Sequence, residues 1–593
     1  MVGQKPEYIW KQYLRDSWKL LEGRKIKFIF YTLILVISNL IPFLLAYLLG
    51  SIIDFFIIYN NGDSLMKFYY LVGGLAFFGV FQLWLKYLGK EKLKVIGAGI
   101  RREVRVGAIS KLIDLELKES EKEDTGSKIQ KINDGSQKIY DGISNFSNEG
   151  ITIITGLIGG LIIFLVLDFK YVIFALTYIL IYLIGENYFN RHIAVCQEKL
   201  NKIKEKVSGK MHESASNILT VKSLGLKEVF EKSTKSYEDE FYNIWKETKD
   251  ITRLKFKTIK MFSALVYAGF VLLIGFDFIS GGITVASIFV FAAYFNNLKG
   301  ALGTLTNKSS DFIKVKSSVG RFMTIFGIKT FDHETNRLDV PKNWKTIEFK
   351  NVTFKYKNKN VLANFNFKIN RNDKIGVIGR SGCGKSTLAK VLLGLYIPQE
   401  GKILIDGIDY NRYKHKSIVN TIGVVLQESE MFNTSLLKNI TISSIRNDFK
   451  TFDKAVKIAQ LEQMIKKLPK GIDTLLGERG YHLSGGERQR VSLARAIYKD
   501  TSFLILDEAT SALDSKTESI IQKNIDTKLE NKTLLIIAHR FSTLKNVDKI
   551  IIMDKGKIIE QGNYNELIKK KGKFYRLWKE QENKGKLKKG RML

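Results

Sequence analysis

The residues best suited to chemistry lie in the second half of this 593-residue chain. Lys374–Ile378 (KIGVI) reads as a strand and Leu388–Leu395 as an apolar helix. Between them stand Gly379, Arg380, Ser381, Gly382, Cys383, Gly384, Lys385, Ser386 and Thr387. Glycines at these spacings let backbone N–H groups turn inward on phosphate oxygens, and the helix N-terminus adds a favourable partial charge. In such a loop Lys385 reaches the outer phosphates, and Ser386 offers a hydroxyl to Mg²⁺. A second apolar run, Phe503–Leu506, ends in Asp507 and Glu508. Two carboxylates at the mouth of a parallel sheet are costly unless a cation or a reaction uses them. Asp507 suits the Mg²⁺ site, and Glu508 suits a general base acting on water.

Between these lies Leu483-Ser484-Gly485-Gly486-Glu487-Arg488-Gln489-Arg490, leading into a helix through Lys499. Ser484 and Glu487 have the spacing of a capping box. Gly485 and Gly486 leave backbone donors uncovered there, which makes a second anion site. Two phosphate sites so far apart in sequence invite a sandwich around one nucleotide. Cys383 sits among N–H donors beside Lys385, surroundings expected to favour its thiolate.

These motifs need a parallel sheet, and short β-rich runs alternating with helices begin at Thr346. The first half is of another kind. Phe28–Ile53, Phe68–Leu85, Gly150–Leu167, Tyr171–Gly185, Met261–Phe276 and Phe278–Leu298 carry no charge. A spanning helix needs roughly 20 mostly apolar residues, so six spans are expected. The connectors Lys86–Glu149 and Glu186–Lys260 are long and rich in Lys, Arg and Glu; the others are short. Basic connectors stay on the cytoplasmic side, which puts both termini inside. The long connectors read as helical extensions that turn near 115–124 and 212–219. Lys and Arg total 94 against 59 for Asp and Glu, giving +35. Anionic lipid on the cytoplasmic side accounts for that excess. No basic, aromatic-interleaved module points to nucleic acid. Two cysteines exclude a disulfide framework, and six scattered histidines form no metal-ligand spacing.

Taken together, 379–387, 483–490 and 503–514 resemble the Walker A loop, signature sequence, Walker B strand and D-loop of an ATP-binding cassette (ABC) protein. The six spans with two long inner loops are similar to the membrane domain of bacterial ABC exporters, so the resemblance runs from about Ile26 to Trp578. It implies further roles: Tyr356 for the adenine-stacking aromatic, Gln427 for the Q-loop and a Mg²⁺ contact, and His539 for the switch histidine. Asp514 belongs to the D-loop and, with Ser484, Gly485, Gly486 and Glu487, would act on the nucleotide of a second copy. The stretches Thr125–Asp134 and Glu213–Leu224 resemble those around the two coupling helices. Cys383, Leu426 and Glu487 replace the commoner Ser, Pro and Gln, and none removes a catalytic group. About 25 residues precede the first span, too few for the peptidase domain of leader-cleaving peptide exporters.

The expected architecture is an all-α six-helix membrane domain with long cytoplasmic extensions plus an α/β P-loop nucleotide-binding domain. Its parts are an N-terminal segment (1–25), a membrane domain (26–305), a linker (306–345), a nucleotide domain (346–580) and a basic tail (581–593). Spans are expected near 28–53, 66–88, 145–167, 170–190, 257–276 and 278–300. The resemblance implies a half-transporter in the cytoplasmic membrane, paired as a homodimer, using ATP and Mg²⁺ to move an amphiphilic peptide, lipid or drug. Glu508, His539 and Lys385 would carry hydrolysis. Asn39, Glu186, Asn187, Asn296 and Asn297 are the polar candidates for a substrate cavity. An importer with the exporter fold, a heterodimer, or an ATP-gated channel or regulator are the alternatives.

Overall fold

A computed structural model describes residues 8–60, 63–115, 125–327, 337–356, 359–427, 429–443, 448–477, 483–538 and 540–589. The chain divides into two compact units, Met1–Thr330 and Phe331–Leu593.

The first unit is helical: α1 (Trp10–Leu20), α2 (Lys25–Ile58), α3 (Met66–Ile113), α4 (Thr125–Asn145), α5 (Ile151–Leu167), α6 (Phe169–Ser216), α7 (Ile218–Ser223), α8 (Lys227–Ile279) and α9 (Val285–Phe326). A π-helical turn, Phe146–Gly150, joins α4 to α5 in one long rod. Among the described residues, six helices are long and apolar enough to cross a membrane. At 53 residues, α8 measures about 80 Å, far beyond a hydrocarbon core of about 30 Å. The apolar part is held by aromatic packing around Phe164, Tyr171, Phe270 and Phe295; the last two rings stack at 4.2 Å. Glycines let helices approach: a Cβ on Gly156 would lie 2.7 Å from that of Ala301.

Several expected boundaries move. The turn expected at Asp277 lies at Ser280–Thr284, because Gly281 takes φ +76° and Thr284 caps α9 by accepting from Ser287 N. Asp277 stays in α8, paired with Lys170 at 2.8 Å. The polar stretch expected as linker continues α9 to Phe326, since Val315, Val319, Phe322 and Ile325 recur on a buried face against Leu93, Ile100 and Ile139. Residues of the second unit pack well before Thr346: Trp344 is fully buried and donates to Ser502 Oγ at 2.9 Å. The N-terminal segment contains α1, whose Tyr13 and Leu20 pack on the same core. The inner extensions of α6 and α8 turn at α7, which exposes Ile218 and Leu219. Of the other expected turn, 115–124, all but Leu115 lies outside the described residues.

The second unit begins with β1 (Thr346–Tyr356), β2 (Lys359–Asn370), β3 (Lys374–Gly379), α10 (Lys385–Leu392), β4 (Glu400–Ile405), β5 (Ile408–Asp409), α11 (His415–Thr421) and β6 (Ile422–Val425). It continues with α12 (Leu436–Thr441), α13 (Phe449–Ile458), α14 (Glu462–Lys467), α15 (Gly485–Tyr498), β7 (Phe503–Asp507), α16 (Ser515–Lys528) and β8 (Thr533–Ile537). The chain closes with β9 (Lys549–Asp554), β10 (Lys557–Gly562), α17 (Tyr564–Lys569) and α18 (Lys573–Lys589). A four-stranded antiparallel sheet has order β2-β1-β4-β5, and a six-stranded sheet has order β10-β9-β3-β8-β7-β6. In the latter, β9, β3, β8, β7 and β6 run parallel. All residues of β7 and β8 are buried, which is why Phe503–Leu506 and Leu534–Ile537 read as unbroken apolar runs. The basic tail is helical as far as Lys589.

Candidate functional site

Neighbouring parallel strands β3, β8, β7 and β6 end along one edge of the sheet, where α/β folds bind ligands. From that edge rise the loop Gly379–Gly384, Ala538, Asp507–Glu508 and Gln427.

The loop after β3 turns sharply. Gly384 caps α10 at φ +110°, and a Cβ there would lie 2.6 Å from Val361 O, so only glycine fits. Lys385 is buried, and its Nζ donates to Gly379 O (2.8 Å) and Arg380 O (3.2 Å), which keeps the ammonium inside the loop. Arg380, Ser381 and Gly382 are exposed, Ser386 is half-buried and Thr387 is buried. Cys383 departs from expectation. Its side chain is buried and its carbonyl accepts from Gly556 N (3.1 Å). Burial pushes the thiol up, and the opposing pull of Lys385 does not overcome it. The thiol form is therefore favoured.

Asp507 ends β7 with 2% exposure. Glu508 then takes a left-handed backbone, φ +51°, an outlier for a non-glycine residue. Its contacts include Glu508 N donating to Ile537 O (3.0 Å), Gln489 Nε2 and Ser511 N donating to Glu508 O (3.2 and 3.1 Å), and Gln427 Nε2 donating to Glu508 Oε2 (3.2 Å). The fold thus brings together Gln427 and Glu508, whose positions are far apart in sequence. His539, expected on the adjoining loop, lies outside the described residues. Tyr356 ends β1 half-buried, its ring edge-on to Phe354 (5.0 Å) and Tyr396 (5.3 Å).

Ser484 and Glu487 form the capping box: Glu487 N donates to Ser484 Oγ (3.2 Å) and Ser484 N to Glu487 Oε2 (2.8 Å). A Cβ on Gly486 would stand 2.9 Å from Ala512 O, so the signature turn lies directly on the loop after Glu508. Asp514 caps α16, accepting from Thr517 N and Lys516 N, and those donors hold its carboxyl below the usual range. Gln489 was missed in the sequence. Buried in α15, it donates to Glu508 O and Ser511 Oγ (2.9 Å) and accepts from Ala512 N (2.9 Å). Its position inside the signature run was the available signal.

Ser386, Gln427 and Asp507 offer oxygen donors of the kind Mg²⁺ takes. Asp507 is buried at the sheet's end and Ser386 lies in the first turn of α10, so the donor set fits such an ion.

The polar membrane candidates behave differently. Glu186 is a correction: it lines no open space. It is 3% exposed and pairs with Lys255, itself 1% exposed, at 2.5 Å. Thr306 Oγ1 donates to Glu186 Oε2 (2.9 Å), Asn190 Nδ2 to Oε1 (3.3 Å), and Lys255 Nζ to Asn190 Oδ1 and Ser309 Oγ. This satisfied network joins α6, α8 and α9. Asn187 and Asn296 are exposed, and Asn296 Nδ2 donates to Tyr267 OH (3.0 Å). Asn39 and Asn297 are half-buried, with Asn39 in a long 3.5 Å contact from Thr152 Oγ1.

Comparison with known proteins gives the family. The model of the ABC transporter transmembrane region matches residues 28–302, and the ABC transporter model matches 362–511. The chain is 41% identical over 299 residues to the alpha-hemolysin translocation ATP-binding protein HlyB of Escherichia coli O157:H7. It is 39% identical over 299 residues to the leukotoxin export ATP-binding protein LtxB of Aggregatibacter actinomycetemcomitans. Each match takes 50% of this chain but only 42% of the relative, so the chain spans well under half the length of these relatives. The structure of a bacterial Atm1-family ABC exporter with ATP bound superposes with TM-score 0.86 at 25% identity, covering 95% of this chain and 98% of that one. The chain therefore belongs to the ABC transporter family, whose nucleotide-binding domains are ATPases, as a multi-pass membrane domain of the exporter fold fused to an ATP-binding domain.

Proposed function

We propose that the protein is an ATP-driven exporter working as a pair of identical copies, moving an amphiphilic peptide, lipid or drug out across the cytoplasmic membrane. The observation that carries this reading is the sheet edge, where a buried Lys385, a buried Asp507 and a Gln427–Glu508 pair converge. Backbone N–H groups of Gly379–Thr387 bind phosphate, Lys385 reaches its outer oxygens, and Tyr356 offers a face for adenine. Ser386, Gln427 and Asp507 would hold Mg²⁺, which when bound neutralises phosphate charge. Glu508, oriented by Gln427, takes the proton of the attacking water, and His539 contacts the terminal phosphate. Ser484, Gly485, Gly486, Glu487 and Asp514 of the second copy complete each site.

Because nucleotide binds better to the paired form, it shifts the population towards closure, and hydrolysis resets it. The basic extensions and both termini lie on the cytoplasmic side. Asn39, Asn187, Asn296 and Asn297 are the polar groups proposed to meet substrate; Glu186 is committed to Lys255.

Spin labels on the nucleotide units of purified protein in nanodiscs test the cycle. In Glu508→Gln, labels on two copies should approach when ATP and Mg²⁺ are added and stay close; the wild type should show near and far populations. A mutant that stops hydrolysis without closing overturns the alternating cycle. A strictly monomeric preparation that turns over overturns the pairing.

A further inference from the structure

We propose that Glu518 is a positioning residue for hydrolysis, a buried carboxylate that ties the loop following Glu508 to the loop that carries His539. This rests on the functional reading above. Glu518 stands in the first turn of α16 and is 7% exposed. Its Oε1 accepts from Thr510 Oγ1 at 3.2 Å. Its Oε2 accepts from Arg540 Nη1 in an ion pair. Thr510 lies two residues after Glu508, and Arg540 directly follows His539.

An acid in a helix's first turn ordinarily does no more than offset the helix dipole from the surface. Glu518 does more, because each oxygen is committed to a different loop and the carboxylate is out of water. A charge-assisted pair in such surroundings fixes geometry as well as adding energy. The helix that carries it is anchored in turn: Asp514 caps α16, and Glu518 N donates to Asp514 O at 2.9 Å. Arg540 O accepts from Thr543 Oγ1 at 2.7 Å, which fixes the far side. Gln489 holds Glu508 O and Ser511 from α15. The left-handed backbone at Glu508 is therefore braced from two helices, and the Glu518 brace also reaches the neighbouring loop. Losing it should let the two reacting groups drift relative to each other without emptying the phosphate loop, since neither Thr510 nor Arg540 belongs to that loop.

The test uses the full chain in nanodiscs, with steady-state ATPase and binding of a fluorescent ATP analogue measured side by side. Glu518→Ala should lower kcat roughly 10- to 100-fold, the scale of small misplacements at a reacting centre, with KM and analogue affinity within about threefold. Glu518→Gln keeps an acceptor oxygen for Arg540 and an amide N–H that can donate to the Thr510 hydroxyl, so it should recover most of that loss without the charge. Thr510→Val severs one link and should lower kcat by less. Should Glu518→Ala fail to fold, the latter two variants decide. A wild-type kcat in Glu518→Ala or Thr510→Val, with wild-type hydrolysis intact and Glu508→Gln inactive, overturns the brace and leaves the ATPase standing. So does a loss confined to KM or to analogue binding. A wild type that hydrolyses nothing overturns the functional reading instead.

Discussion

Two glutamates, Glu186 in the membrane unit and Glu508 in the nucleotide unit, were both singled out by sequence, and the fold treats them in opposite ways. Glu186 is almost inaccessible and meets Lys255 at 2.5 Å, with Thr306 and Asn190 taking up its remaining capacity. Its charge is answered within its own chain, and the pair fastens three helices. Glu508 is half-buried, meets the amide of Gln427 and stands at the end of a parallel strand with a left-handed backbone. A carboxylate satisfied by a buried cation is committed to architecture. A carboxylate oriented by a neutral amide at a sheet edge can still accept a proton. Acidity in an unusual place is therefore a poor guide to function until its partner is known.

The comparison breaks if the two residues exchange behaviours. Glu508→Gln should lower ATP turnover by about 10² to 10⁴-fold, the usual cost of losing a general base. Glu186→Gln, assayed per folded molecule, should not approach that loss; equal losses would put Glu186 in the hydrolytic machinery. The next largest effect is on stability. Lys255→Met alone strands a buried carboxylate and should destabilise the membrane unit by about 3–5 kcal/mol, read as a lowered thermal midpoint. Glu186→Leu combined with Lys255→Met removes both charges and should regain most of it. A double variant that falls as far as the single would show that the pair contributes more than its own neutralisation. The smallest effect concerns Cys383. Because burial raises its thiol, the reactive thiolate is scarcer at neutral pH than in an exposed cysteine and grows as pH rises past the usual thiol range. Maleimide labelling should be slow near neutrality, quicken in alkali and be slowed by ATP. Cys383→Ser should hydrolyse ATP within about twofold of wild type, since the thiolate has no part in turnover. Fast neutral labelling would reverse the assignment.

The site was legible wherever its chemistry is local. The phosphate loop, the Ser484–Glu487 capping box and the paired acids after β7 each lie within a few residues, and local spacing dictates their backbone. The six apolar runs were legible too, because a hydrocarbon core imposes length and polarity on every span. The continuation of α9 to Phe326 was not, for its buried residues are diluted by Lys, Ser and Thr on the other faces. Spacing along the chain is visible to a reader of sequence; partnership across it is not. Gln489 with Glu508, Glu518 with Thr510 and Arg540, and Glu186 with Lys255 all depend on which helices and loops come to lie side by side. By itself the sequence determined what chemistry each segment could offer, because hydrogen-bond geometry and helical or strand period act over a few residues. Only the tertiary structure decided which carboxylate was paired with a buried cation and which met an amide at the sheet edge, because that cation or amide arrives from another part of the chain.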